Sequence, residues 1–380
     1  MSAAWGGMTS PTSAGDALAR LFTHFAAHEC RDDPLYVALC RLIAARPPLL
    51  ELLGHAPATQ RVPNLLLAAL HDRVLAGPAH EFSQYFPSVG GARAPDPALA
   101  AALEAFVTAQ SGALTALLAS RHTQTNEIGR CAVLWPALCA VAARGAQRRL
   151  ALLDFGCSAG LNLGVDRYRY DYGAFSLGAA DAPGVPAIEC HLVGARAAAL
   201  RDSERTAPLL VARAGIDPAA VDVFDATQVR WLRACVWPYD HERAARLNLA
   251  LAIAQRERFA VRRHDDCAAA IEPWLDTLPA GVLPVVFNSW VLHYLDKFAR
   301  QAHVAFMREL VQRRGIVWLS AEGAHIALGD AAFEPVGDAQ VSDDTLAKGS
   351  QWWLTSPGAD APFLTLLARS HPHGRWLQWL

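Results

Sequence analysis

A chain of 380 residues, 53% hydrophobic and 18% charged, can bury a sizeable core over about two domains, which excludes a disordered protein. Thirty-four basic against thirty-six acidic residues give a net charge of -2 without any basic block, so a nucleic-acid partner has no electrostatic support. The eight cysteines are scattered, with no Cys-x-x-Cys pair and no Cys/His cluster at zinc spacing, which argues against a disulfide scaffold and a structural metal. Met1-Ser-Ala-Ala-Trp-Gly-Gly has neither a basic nor an apolar region of the signal-peptide kind. No run of about 18 apolar residues suggests a membrane span. A cytoplasmic protein with no membrane partner is expected.

Residues 1–14 are small and polar and are expected to be frayed. From 15 to 145 the pattern is helical and predicts an N-terminal helical domain. Leu18, Leu21, Phe22 and Phe25 recur at helical steps, and Pro63 opens a further helix that Gly77-Pro78 closes. In the segment 121–145, Asn126, Glu127 and Arg130 share one polar face. That face either overlies a ligand pocket or forms a surface cluster of caps and ion pairs.

The second part, 146–380, starts with an apolar run, Leu150 to Leu153, which reads as a buried parallel strand. Asp154 ends it, Gly156-Cys-Ser-Ala-Gly160 turns tightly, and Leu161 and Leu163 read as the first turn of a helix. Strand, glycine turn and helix N-terminus would make a cradle of N–H groups for a nucleotide or carboxylate. Asp154-x-Gly156-x-Ser158-x-Gly160 also spells Gly-x-Ser-x-Gly, a nucleophile elbow with Ser158 as nucleophile. A glycine turn with no ligand is the third reading.

Residues 173–207, rich in Gly, Ala and Pro, predict an inserted flap before the strand at Leu209-Leu-Val211. Asp217 then suits the acidic position that accepts hydrogen bonds from ribose hydroxyls. Its distance from the glycines is roughly three times the usual one and requires the insertion; a turn-forming Asp-Pro is the alternative. Phe259 to Asp266 reads as a third strand ending in Asp265 and Asp266, which suit an adenine amino group or simply face solvent. Val282–Phe287 gives a fourth strand, followed by Asn288-Ser289, His293 and Tyr294. Ile316–Ser320 gives a fifth, ending before Glu322, and two apolar segments flanking Ser356-Pro-Gly suggest a terminal antiparallel hairpin. Trp237 and Trp290 read as core more readily than as pocket walls. Alternating strands and helices predict an α/β doubly wound, mostly parallel sheet.

From Arg149 onward this order resembles the Rossmann-like S-adenosylmethionine-dependent methyltransferases, with motif I at Asp154–Gly160 and Ser158 replacing the middle glycine. The resemblance implies S-adenosylmethionine as cofactor, held by Asp154, Gly156, Ser158, Gly160, Asn162, Asp217, Asp265, Asp266 and Asn288. It implies a small-molecule acceptor; His293, four residues beyond Asn288-Ser289 with a pKa ordinarily about 6.5, is then the candidate base, or else a surface or core histidine beside Tyr294. The whole chain further resembles a bacterial family of unknown function, domain-of-unknown-function family 2332. That likeness rests on Gln60–Ala69, Thr125-Asn-Glu-Ile-Gly-Arg130, Ser158–Leu163, Gly215-Ile-Asp-Pro and Trp231-Leu-Arg-Ala-Cys-Val-Trp-Pro238. It implies no activity of its own. A serine hydrolase using Ser158, Asp265 and His293, and a binding module without catalysis, remain alternatives. A nicotinamide enzyme would need Gly-x-Gly-x-x-Gly, which is not the spacing of Gly156, Gly160 and Gly164.

Overall fold

The computed structural model describes residues 14–124, 127–145, 148–194, 196–324, 326, 328 and 349–380. The frayed N-terminus expected for 1–14 lies outside them, except for Ala14, which opens a helix. Helices come first: α1 (Ala14–His28), α2 (Pro34–Ala44), α3 (Pro47–Glu51), α4 (Pro63–Ala76), α5 (Leu99–Ser120) and α6 (Cys131–Arg144). Proline sits at the start of α2, α3 and α4, where its missing N–H costs nothing. Asp33 caps α2 by accepting from the Tyr36 amide at 2.8 Å.

After α6 come β1 (Arg149–Phe155), β2 (Arg169–Asp171), β3 (Ser176–Gly178), β4 (Ala187–Glu189), β5 (His191–Leu192), α7 (Ala197–Ser203) and β6 (Leu209–Asp217). The chain continues with α8 (Ala226–Ala234), α9 (His241–Glu257), β7 (Ala260–Arg263), α10 (Ile271–Asp276), β8 (Leu283–Ser289) and α11 (Lys297–Arg314). It ends with β9 (Val317–Gly323), β10 (Ser350–Ser356), β11 (Phe363–Ser370) and β12 (Trp376–Trp379). Asp296 caps α11 through the amides of Phe298 and Ala299, and Gly315 ends it in the left-handed conformation.

The chain divides into two compact units, Met1–Thr125 with Ala226–Ala244, and Asn126–Asp225 with Ala245–Leu380. The boundary therefore falls some way before residue 145, and a later stretch returns to the first unit. α6 explains the first difference. It is buried on nearly every face, as a helix inside a core must be, and packs on β11, α7 and the segment after β1. Trp231 of α8 explains the second, since it sits within the hydrophobic core of the helical unit. In that unit α5 is long and apolar enough to cross a membrane by length and composition alone, with a mean hydropathy of 1.3. Its Leu99, Leu103, Phe106, Leu114 and Leu118 face the unit's own core.

The second unit is mixed α/β around a nine-stranded, mostly parallel sheet of order β5-β12-β11-β10-β9-β8-β1-β6-β7. β1 lies parallel between β6 and β8, β7 extends one side, and β9 the other. The chain thus runs outward one way from β1, then returns and runs the other way from β8. The order reverses between β1 and β8, where such sheets open a crevice at their carboxyl edge. β1 is buried along all but its first residue, as a strand covered on both faces must be. β10, β11 and β12 follow as antiparallel neighbours. The expected insertion begins at β2 rather than at 173. It forms a small sheet, β3-β2-β4, and then sends β5 to pair with β12 at the far edge of the large one.

Candidate functional site

The ends of β1, β6, β8 and β9 lie on one edge of the sheet, in register: Phe155 is opposite Ile216 and Asn288, and Asn288 is opposite Ser320. Beyond β1 the chain turns through Gly156 (φ 76°), Ser158 (φ 53°) and Gly160 (φ 67°), all left-handed. A Cβ on Gly156 would overlap Val291 beyond β8, and one on Gly160 would overlap Val261 of β7. The glycines are therefore fixed by close neighbours as well as by backbone conformation.

The amides of Gly156 and Cys157 donate to the Ile216 carbonyl, and the Ser158 amide donates to Asp217 Oδ2 at 2.8 Å. Asp217 Oδ1 accepts from Ala219 N–H at 2.7 Å. The last residue of β6 thus grips the glycine turn, and its carboxyl group stays half-buried at the sheet edge. The cradle of free N–H groups that the sequence suggested is not what forms, because three of those amides already serve β6. Nor does an α-helix follow. Leu161–Arg167 is a 3-10 segment, unusually long for its kind. Tyr168 and Tyr170, both buried, donate their hydroxyls to the carbonyls of Leu161 and Val165, which holds that tighter winding. Gly164 leaves the room that the Tyr168 ring needs.

Asp154 is 1% exposed, and burial pushes its carboxyl group up to about 7, opposed by a hydrogen bond from Asn162 Nδ2 at 3.3 Å. Arg130 lies within electrostatic reach of it. The guanidinium of Arg130 donates to the Pro372 carbonyl at 2.8 Å and lies 5.9 Å over the ring of Trp290. Glu127 accepts from the Gly129 amide at 2.8 Å, so the acidic member of the polar face is a buried cap rather than a surface ion pair. Asn126 lies outside the described residues.

Asn288, expected at the cofactor, lies inside the sheet. It is wholly buried, its Nδ2 donates to Ser320 Oγ and to Glu322 Oε1, and its Oδ1 accepts from Trp318 Nε1. Its contacts are internal and leave it no face for a ligand. β9 runs on through Glu322, which the sequence reading left beyond the strand. Glu322 Oε1 also accepts from the amides of Val291 and Leu292 at 2.9 and 3.1 Å, and so fixes the turn Leu292–Tyr294.

His293 stands half-buried in that turn, its ring 3.9 Å from the ring of Tyr294 and 5.5 Å from that of Trp290. Tyr294 is 63% exposed. Desolvation raises its phenol above the ordinary value, Arg130 opposes the rise, and Asp217 and Glu322 add to it. The phenol therefore feels the ends of both β6 and β9.

The sequence left Asp265 and Asp266 either at an adenine amino group or in solvent. β7 stops at Arg263, and both aspartates lie exposed beyond it. Asp265 is 88% exposed and pairs with Arg263 at 3.2 Å, while Asp266 accepts from the Ala269 amide and caps a local turn. Asp265 therefore does not serve as the buried acid of a Ser158–His293 triad. A cavity of about 410 Å³ touches the glycine turn only at Ala159 and is lined otherwise by Val221, Phe224, Arg258 and Val261 among others. Asp154, Asp217 and Glu322 are not among its lining residues.

One family profile, described as an uncharacterised protein conserved in bacteria (DUF2332), matches residues 19–379. The chain belongs to that family. No curated protein matches it. For this DUF2332 chain the glycine turn, Arg130 and Asp217 all fall within the matched span. The residues that sequence reasoning missed are Glu322 and Val291. The signal for Glu322 was its two-residue phase with Trp318 and Ser320, which puts all three on one face of a longer strand.

Proposed function

We propose that this DUF2332 protein is an S-adenosylmethionine-dependent methyltransferase built on a Rossmann-like, doubly wound core closed by a C-terminal antiparallel hairpin. We place it in the cytoplasm, acting on a small-molecule acceptor. The observation that carries the reading is the Asp217 carboxylate gripping the Ser158 amide at the carboxyl ends of β6 and β1. An acidic group ending the second strand beside a glycine turn is where such sheets hold an adenosine ribose.

The residues fit the group. Ser158 adopts a left-handed conformation, as Gly156 and Gly160 on either side of it do. Asp217 Oδ1 and Oδ2 each keep a lone pair beyond their one backbone donor for ribose hydroxyls. Gly156 and Gly160 let the turn pack against Val291 and Val261, which sets its path beside Asp217. Asp154, Asn162 and Arg130 would face its amino-acid end. Bound there, S-adenosylmethionine supplies an electrophilic methyl group on a sulfonium. The protein's work is then chiefly positioning, with His293 as candidate base and Tyr294 at the site's mouth.

Calorimetry against S-adenosylmethionine and S-adenosylhomocysteine tests the reading. Saturable binding that is lost in Asp154→Ala and Asp217→Ala proteins with unchanged circular dichroism is the expected result. No binding to the unaltered protein would discard the reading. A serine hydrolase is the second reading, favoured by the left-handed Ser158 after a central strand. A fluorophosphonate that labels Ser158 would support it, and a protein left unlabelled would eliminate it.

A further inference from the structure

Glu322 Oε1 accepts three hydrogen bonds, from Asn288 Nδ2 and the amides of Val291 and Leu292. Its other oxygen, Oε2, is buried and receives no hydrogen bond from the described residues, in a residue 1% exposed. Everything Oε1 does could be done by the carbonyl of a glutamine, which would fix the same turn and satisfy the same donors. The second carboxyl oxygen is what distinguishes this side chain from its amide. A buried carboxyl oxygen without a donor is costly, and a ligand group that supplies an N–H or O–H would relieve that cost.

Its position tells which end of the site that donor occupies. Glu322 is the next-to-last residue of β9, on the far side of β1 from Asp217, which ends β6. Tyr294 lies within electrostatic reach of both. The His293 ring, which contacts those of Trp290 and Tyr294 on either side, puts aromatic surface at the turn that Glu322 fixes.

We propose that Glu322 Oε2 binds the methyl acceptor, and that the acceptor is an amine or an alcohol, which presents an N–H or O–H donor, rather than a carboxylate. This rests on the methyltransferase reading, with the ribose held at the Asp217 end. Burial raises the Glu322 carboxyl above its ordinary value, with Arg130 among the opposing influences. An oxygen in that state can hold a proton released by the acceptor.

Three probes alike in their ring test this: 2-phenylethylamine, 2-phenylethanol and phenylacetate, titrated by calorimetry with and without S-adenosylhomocysteine. The amine or the alcohol should bind saturably and phenylacetate should not. Glu322→Gln, which keeps the Oε1 contacts, should weaken that binding at least tenfold and leave affinity for S-adenosylhomocysteine within twofold. Phenylacetate binding as well as the amine, an unaltered amine affinity in Glu322→Gln, or no binding by any probe overturns the proposal. If S-adenosylhomocysteine itself fails to bind while the amine binds in a Glu322-dependent way, the methyltransferase reading falls and the Glu322 site stands.

Discussion

The Ser158 amide donates to Asp217 at 2.8 Å across fifty-nine residues of sequence, joining the turn after β1 to the end of β6. A single carboxylate thus has two tasks in the proposed enzyme, holding the turn and receiving a sugar. Asp217→Asn separates them only in part, because one amide hydrogen must then face the Ser158 or the Ala219 N–H. A loss of about 1–3 kcal/mol in stability follows from the unsatisfied donor. A tenfold or greater loss of S-adenosylhomocysteine affinity, about 1.4 kcal/mol, is expected beside it. Denaturant titration and calorimetry read the two effects separately. Unchanged affinity in a destabilised protein would leave Asp217 a purely structural residue.

The glycines make a comparison within the same chain. Gly173 has φ 81° with open space around it, whereas Gly156 has φ 76° and Val291 where a Cβ would stand. Gly173→Ala should therefore cost about 1–2 kcal/mol from backbone strain alone. Gly156→Ala adds overpacking against Val291, about 1–3 kcal/mol more. Shortening Val291 to alanine in the Gly156→Ala background should return part of that excess. Equal losses at positions 156 and 173 in urea titrations would show that Val291 yields freely.

Asp154 makes stability depend on pH in an unusual direction. Its folded pKa is about 7, against about 3.9 in an unfolded chain. Between those values the folded state holds a proton that the unfolded state has released. Stability contributed by this group is therefore present at low pH and declines as pH rises towards 7, by up to about 1.4 kcal/mol per unit. His303 and His371, each held down to about 4 by burial, act oppositely over pH 4 to 6.5. Asp154→Asn isolates the carboxyl, because the histidine contributions cancel in the difference. The variant should gain on the unaltered protein as pH is raised from 5 to 7, measured by denaturant midpoints. A difference flat with pH would mean that Asp154 is ionised throughout.

Much of the core was legible because buried parallel strands announce themselves as apolar runs, as Leu150–Leu153 and Val285–Phe287 do. The glycine turn and Asp217 were legible because turn chemistry needs particular residue types. What escaped was polar structure inside the sheet. Trp318, Ser320 and Glu322 share a face with Asn288 and satisfy one another, so the polarity that looked like the end of β9 is its interior. Asn288 belongs to that same polar layer, which its place at the end of an apolar run did not announce. The segment after the glycine turn was misread for a different reason. Leu161 and Leu163 fit a helix start, but the tyrosines that hold it in a 3-10 winding act from β2 and the residue before it, which follow the segment.

Asn288 supplies the sharpest test of that polar layer. Asn288→Ala leaves Trp318 Nε1 without its acceptor and removes one of three donors from Glu322 Oε1, all in a buried place. A cost of about 2–4 kcal/mol follows, most of it from the orphaned indole and the loss of packing. Trp318→Phe removes the indole N–H, so the double variant should be less destabilised than the sum of the two singles. Coupling of about 1 kcal/mol or more is expected in a double-mutant cycle. Affinity for S-adenosylhomocysteine, measured where the variant is fully folded, should fall no more than twofold, since the side chain has no face left for a ligand. A tenfold loss of affinity with full folding would restore Asn288 to the binding site and displace the internal role argued for it.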